Sequence, residues 1–188
     1  MLELVAGRLD FYPKTFYLAG NINGQTLEGC NGWRLGVTRE LERRGHRVLN
    51  PLRGKTCLPK GQKLTPETCA GLDVVTDGAV IVMRDLRDVE KSDALIVNVG
   101  PRDAVLTGSV CEVFQAAMGK HPRIPVFAYV EDRDEPCAQA RSPWFGGFFS
   151  PAYHVHVGRQ ALLETVDRYF PGACELTMPQ DNIVEVRR

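Results

Sequence analysis

Short apolar runs recur along this chain, separated by stretches whose apolar residues fall at helical spacing, and this alternation limits the fold more than any other feature. Thr15-Phe16-Tyr17-Leu18-Ala19 is an apolar run ended by Gly20, the pattern of a buried strand. Further strands are expected over 46–49, closed by Asn50-Pro51, and over 94–99, 124–130 and 153–157. Asn21 to Asn31 reads as a Gly- and Asn-rich loop. From Trp33, Leu35, Val37 and Leu41 lie among Arg39, Glu40, Glu42 and Arg43, with Gly45 beyond, which predicts a surface helix with a glycine stop. Helices are also expected over 109–119 and 160–170. The stretch from Thr76 to Ser92 is ambiguous: Thr76-Asp77-Gly78 suits a helix cap, whereas Val80-Ile81-Val82 suits a strand.

Parallel neighbours need a crossover about as long as these intervening helices. The expectation is therefore one α/β domain over residues 1–170, followed by a tail over 171–188. Its sheet would be doubly wound, flavodoxin-like and five-stranded, with ligands at the carboxyl ends of the strands. The connection 51–73 is polar, irregular and long for a compact domain, which points to a functional reason for it.

Composition removes several function classes. Lys plus Arg and Asp plus Glu are both 23, so no global field favours a nucleic-acid polymer or an anionic membrane. No apolar run approaches the ~18–20 residues of a membrane span, and Met1 to Asp10 lacks the basic-then-apolar order of a secretory signal. The six cysteines are scattered without a CxxC pair, which favours reduced thiols over a zinc site or disulfide framework. A soluble cytoplasmic protein is expected.

The loops that should converge on one crevice carry Gly20-Asn21-Ile22-Asn23-Gly24, Asn50-Pro51-Leu52-Arg53-Gly54-Lys55 and the segment from Asp103 to Glu112. The first loop lacks GxGxxG spacing, and the chain has no GxxxxGK[ST] phosphate loop, GxSxG elbow or HExxH. Thr107-Gly108-Ser109-Val110-Cys111-Glu112 can be read in two ways. Ser109 and Glu112 have capping-box spacing, which would make the acid a helix closure. The same turn also points a carboxylate into the crevice. Cys111 would be a buried structural thiol. In Arg84-Asp85-Leu86-Arg87-Asp88, a helix would put Asp85 and Asp88 on one face, although a solvated charged turn fits the same residues. Asp93, just before a buried strand, reads as a structural turn residue.

Taken together, Tyr17-Leu18-Ala19-Gly20, Trp33-Arg34, Asn50-Pro51-Leu52-Arg53-Gly54-Lys55, Arg84-Asp85 to Ser92-Asp93 and Gly108-Ser109-Val110-Cys111-Glu112 resemble the nucleoside 2-deoxyribosyltransferases and their N-glycosidase relatives. The resemblance spans roughly Thr15 to Val130. It implies Glu112 as the nucleophile at the anomeric carbon, Asp85 as the group handling the proton on the base, and Tyr17 as the residue positioning the Glu112 carboxylate. Substrate contacts would come from Gly20, Asn21, Asn23, Gly24, Arg53, Asp88, Asp103 and Gly108. No metal or organic cofactor would be needed. The ligands would be a nucleoside or nucleotide and a free nucleobase. A homo-oligomer is also implied, in which Ser142, in the aromatic loop Ser142-Pro143-Trp144-Phe145-Gly146-Gly147-Phe148-Phe149, reaches a neighbouring subunit's sugar.

Two departures from the resemblance bear on substrate. Family members often carry Ser or Asp six residues before the nucleophile, where this chain has Leu106, with Asp103 as a substitute. Their nucleotide hydrolases use Ser and Arg for the 5′-phosphate where Asn21 and Asn23 stand here; this favours nucleosides unless Arg53 or Lys55 reaches in. Three functions compete: transfer of the deoxyribosyl group to an acceptor base, hydrolysis of a nucleoside or its 5′-monophosphate, and non-catalytic nucleotide sensing.

Overall fold

A computed structural model describes residues 12–119 and 123–170; the tail 171–188 lies outside them. In chain order the elements are β1 (Thr15–Gly20), α1 (Leu27–Arg43), β2 (Arg47–Leu49), α2 (Pro66–Cys69), α3 (Gly78–Glu90), β3 (Ala94–Asn98), α4 (Thr107–Met118), β4 (Val126–Val130), β5 (Val155–Val157) and α5 (Arg159–Tyr169). The strands form one parallel sheet in the order β2-β1-β3-β4-β5, the flavodoxin-like order.

Alternation along β1 assigns the layers. Phe16 and Leu18 join Val37 and Leu41 of α1 and Leu162, Leu163 and Val166 of α5 in one core. Tyr17 and Ala19 point the other way, into a core with Val89 of α3 and Val113 and Ala116 of α4. Every residue of β3 and β4 is buried, as expected for strands covered on both faces.

Several element boundaries differ from the sequence expectation, each for a local reason. Helix α1 starts at Leu27, inside the stretch read as a loop, because Thr26 caps it: its hydroxyl accepts the Gly29 N–H at 3.1 Å. The 76–92 ambiguity resolves as helix α3, where Asp77 accepts the N–H groups of Ala79 and Val80. The β-branched Val80 and Val82 lie on its exposed side, so they have no strand to pair with. Helix α4 begins at Thr107 after Leu106, with no side-chain cap. Ser109 and Glu112 therefore form no capping box, and Glu112 sits in the second helical turn. Cys111 is exposed on the outside of α4, not buried.

The connection from 51 to 76 folds back on the start of α1. Leu52, Leu58 and Leu64 pack with Cys30 in a small third core, and Leu64 exchanges backbone hydrogen bonds with Gly24 and Gln25, both at 2.7 Å. The aromatic loop is less available to a neighbour than its composition suggests. Phe145 and Phe149 insert into the chain's own core in edge-to-face contact, Phe148 packs beside them, and Trp144 is left 80% exposed. Among the described residues no helix is long and apolar enough to cross a membrane.

Candidate active site

At the carboxyl end of β1, beside the loop that leads from β3 into α4, lies an open cavity of about 1020 Å³. Its walls are the turn after β1 (Gly20 to Asn23), the folded-back connection (Leu64 to Asp77), the inner side of α3 (Ile81, Asp85) and the first turns of α4 (Thr107 to Glu112). Ligand sites commonly measure ~300–1000 Å³, so there is room for a nucleoside-sized molecule with space to spare.

Glu112 and Tyr17 meet here because one strand and one helix of the same layer carry them. The Tyr17 ring is fully buried in the β1 face that packs on α4, and its hydroxyl donates to Glu112 Oε1 at 2.6 Å. That bond fixes one carboxylate oxygen of a residue that lines the cavity and leaves the other without a hydrogen bond to the described residues. Glu112 is half-buried and lines the cavity. Burial pushes its pKa up to about 7, the nearby Asp85 charge adds to this, and the Tyr17 hydrogen bond works in the opposite direction. Burial likewise drives the Tyr17 phenol far above its ordinary value, so the tyrosine remains a donor at any working pH.

Asp85 lines the facing wall and is 7% exposed. Arg84 holds its Oδ1 at 3.1 Å, and the same Arg84 guanidinium also donates to the Pro51 carbonyl. Burial raises the Asp85 pKa, against the pull of Lys55 and then of Arg84. The site thus combines a buried carboxylate restrained by a phenol with a second carboxylic acid whose proton is held more tightly than usual. Such a pair can attack a carbon centre from one side and protonate a departing group from another.

Of the residues expected from the sequence to contact substrate, Gly20, Asn21, Asn23 and Gly108 line this cavity. A Cβ on Gly20 would come within 2.8 Å of the Trp33 ring, so this position needs glycine. The remaining residues lie outside the cavity lining. Gly24 takes a turn conformation at φ +77° and anchors Leu64 through its N–H, outside the cavity lining. Asp88 does not line the cavity: it is buried against Arg53, whose guanidinium it accepts at 2.6 Å, and that pairing also removes Arg53 from the site. Asp103 is exposed and outside the lining, so it does not substitute for Leu106, which is buried in the wall as an apolar residue. Ser142 lies away from this chain's own cavity, its hydroxyl accepting the Trp144 N–H at 3.3 Å. Asp93 behaves as expected, accepting the Thr15 N–H at 2.7 Å.

Two further residues matter to the site: Lys55, expected from the sequence only as a cation that could reach in toward a phosphate, and Arg34, expected only as part of the first-helix motif. Lys55 lines the cavity while only 7% exposed. Arg34 is completely buried, stacked 4.4 Å over the Trp33 ring, and donates to the carbonyls of Gly20 (2.9 Å), Leu18 (3.4 Å) and Cys30. Its charge acts on both Tyr17 and Glu112. A signal for Arg34 was present: Cys30, Arg34, Val37 and Leu41 form the buried stripe of α1, and a cation within such a stripe must be paired internally.

No protein-family model matches the chain, and no curated protein matches its sequence.

Proposed function

We propose that the protein cleaves the N-glycosidic bond of (deoxy)nucleosides through a covalent glycosyl intermediate on Glu112, passing the 2-deoxyribosyl group to an acceptor base. The observation that carries this reading is the Glu112 carboxylate at the cavity wall, gripped at one oxygen by Tyr17, with Asp85 across from it. In the first step the free Glu112 oxygen bonds to the anomeric carbon as the carbon–nitrogen bond breaks. The electron pair leaves with the base, which takes a proton from Asp85. An oxocarbenium-like transition state gains from a desolvated carboxylate beside it. In the second step an acceptor base attacks the anomeric carbon, Glu112 departs, and Asp85 recovers the proton. Substituting water for the acceptor makes the same machinery an N-glycosidase, the second reading. Asn21 and Asn23 line the cavity as neutral amides, which suits a nucleoside, whereas Lys55 in the same lining is a cation able to meet a 5′-phosphate, so both substrates stay within this reading.

A homo-oligomer belongs to the same proposal. Val82 and Met83 on α3, and Phe114 and Met118 on α4, are at least half exposed, a set of apolar side chains suited to burial against a second copy. A neighbour's Trp144 and Ser142 would then close the cavity mouth.

The direct test is incubation with deoxynucleosides, with and without a second base, followed by chromatography of bases and nucleosides. New nucleoside only when acceptor is present supports transfer. Free base without acceptor supports hydrolysis. No release from any substrate overturns both.

A further inference from the structure

Lys55 is the one cationic side chain among the cavity-lining residues, which otherwise carry the carboxylates Asp73, Asp77, Asp85 and Glu112. Its side chain is nearly enclosed, at 7% exposure, yet among the described residues its ammonium makes no hydrogen bond and no ion pair. Lys55 is also one of the residues that line the cavity. A buried ammonium without an acceptor is costly, and a lysine has three donors and no acceptor to offer. The charge that acts most on it is that of Asp85. Arg84 on the Pro51 carbonyl and Arg53 on Asp88 dock the segment that carries Lys55 against α3, which carries Asp85, so a donor and a carboxyl group line the cavity from adjoining segments.

We propose that Lys55 determines base specificity by donating a hydrogen bond to a carbonyl oxygen of the leaving base, beside the ring nitrogen that Asp85 protonates. This rests on the glycosidic reading of the site. An exocyclic carbonyl gives the Lys55 ammonium an acceptor. An exocyclic amino group brings a second donor against the ammonium and leaves both without an acceptor, a mismatch that polar sites reject strongly. The same hydrogen bond draws electron density from the base as the glycosidic bond breaks, so the contact strengthens toward the transition state.

Binding of free hypoxanthine, uracil and adenine is measured by calorimetry on Glu112→Gln protein, with and without Lys55→Met. Lys55→Gln serves as a second variant, and thermal unfolding checks the fold of each. Carbonyl bases should bind the Glu112→Gln protein more tightly than adenine by roughly 10–100-fold, and both Lys55 variants should lose that margin while holding adenine within about three-fold. Equal binding of adenine and hypoxanthine overturns the assignment, as does failure of every carbonyl base to bind. A Lys55→Met loss seen only with 5′-monophosphates, and not with free bases, also overturns it, in favour of a phosphate contact. Turnover of deoxynucleosides by the unaltered protein is scored separately. Its absence would sink the glycosidic reading, while the base-binding ratios still decide the role of Lys55.

Discussion

Glu112 has to be ionised to attack, and its enclosure works against ionisation. With its pKa pushed up to about 7, kcat/KM should fall as pH drops through that value, giving an acid limb with a midpoint near neutrality. Tyr17→Phe removes the donor that favours the ionised form, so the limb should shift to higher pH and the rate at pH 7 should drop; an unmoved limb would separate Tyr17 from the carboxylate. The same shift makes a stability prediction. The folded state holds the Glu112 proton more tightly than the unfolded chain, so this group's contribution is fully present below pH ~4 and is lost as pH rises to about 7. Glu112→Gln, which cannot ionise, should therefore match the parent near pH 4 and exceed it by up to ~3 kcal/mol at pH 8, measured by denaturant unfolding. Glu112→Ala should remain folded and lose base release. Activity within a few-fold of the parent would remove it as nucleophile. For Asp85→Asn, natural bases should slow by ~10²–10⁴-fold, and nucleosides with activated leaving groups far less. Equal slowing on both would mark Asp85 as structural.

Arg34 joins two elements: from α1 it supplies hydrogen bonds to carbonyls at the end of β1, beneath the turn that lines the cavity. Arg34→Met keeps most of the volume but strands those carbonyls and removes the plane stacked on Trp33. A loss of ~3 kcal/mol is expected, seen as a thermal midpoint lowered by roughly 6–12 °C. A loss below ~1 kcal/mol would mean that water replaces the guanidinium. Elements were legible in the sequence where packing and pattern agreed, as in β1 and β3, whose apolar runs are buried throughout their central residues. They were misread or left open where capping outweighed composition. Thr26 starts α1 inside an Asn- and Gly-rich stretch, and Asp77 commits a β-branched run to α3.

For the whole molecule, the open apolar sides of α3 and α4 and the exposed Trp144 lead to an assembly prediction. Sedimentation at micromolar concentration should show a homo-oligomer; a fully active monomer would rule it out. Mixing inactive Glu112→Ala chains with chains altered at Ser142 and Trp144 should restore activity if one site draws on two subunits. Phe145 and Phe149 take no part in this, since they are spent on the chain's own core.

The residue order carried the layered α/β architecture, because strand and helix periodicities are local properties that survive without any knowledge of partners. It also singled out Tyr17, Asp85 and Glu112, which stand 95 residues apart at the Tyr17–Glu112 bond. Which charges face the cavity was decided only by the tertiary structure. Arg53 and Asp88 satisfy each other, Asp103 stays in solvent, and Lys55 is enclosed beside the cavity by the fold of a connection with no regular pattern. A charged residue's role depends on where its counter-charge lies in space, and pairing across 35 residues leaves no periodic trace in the chain.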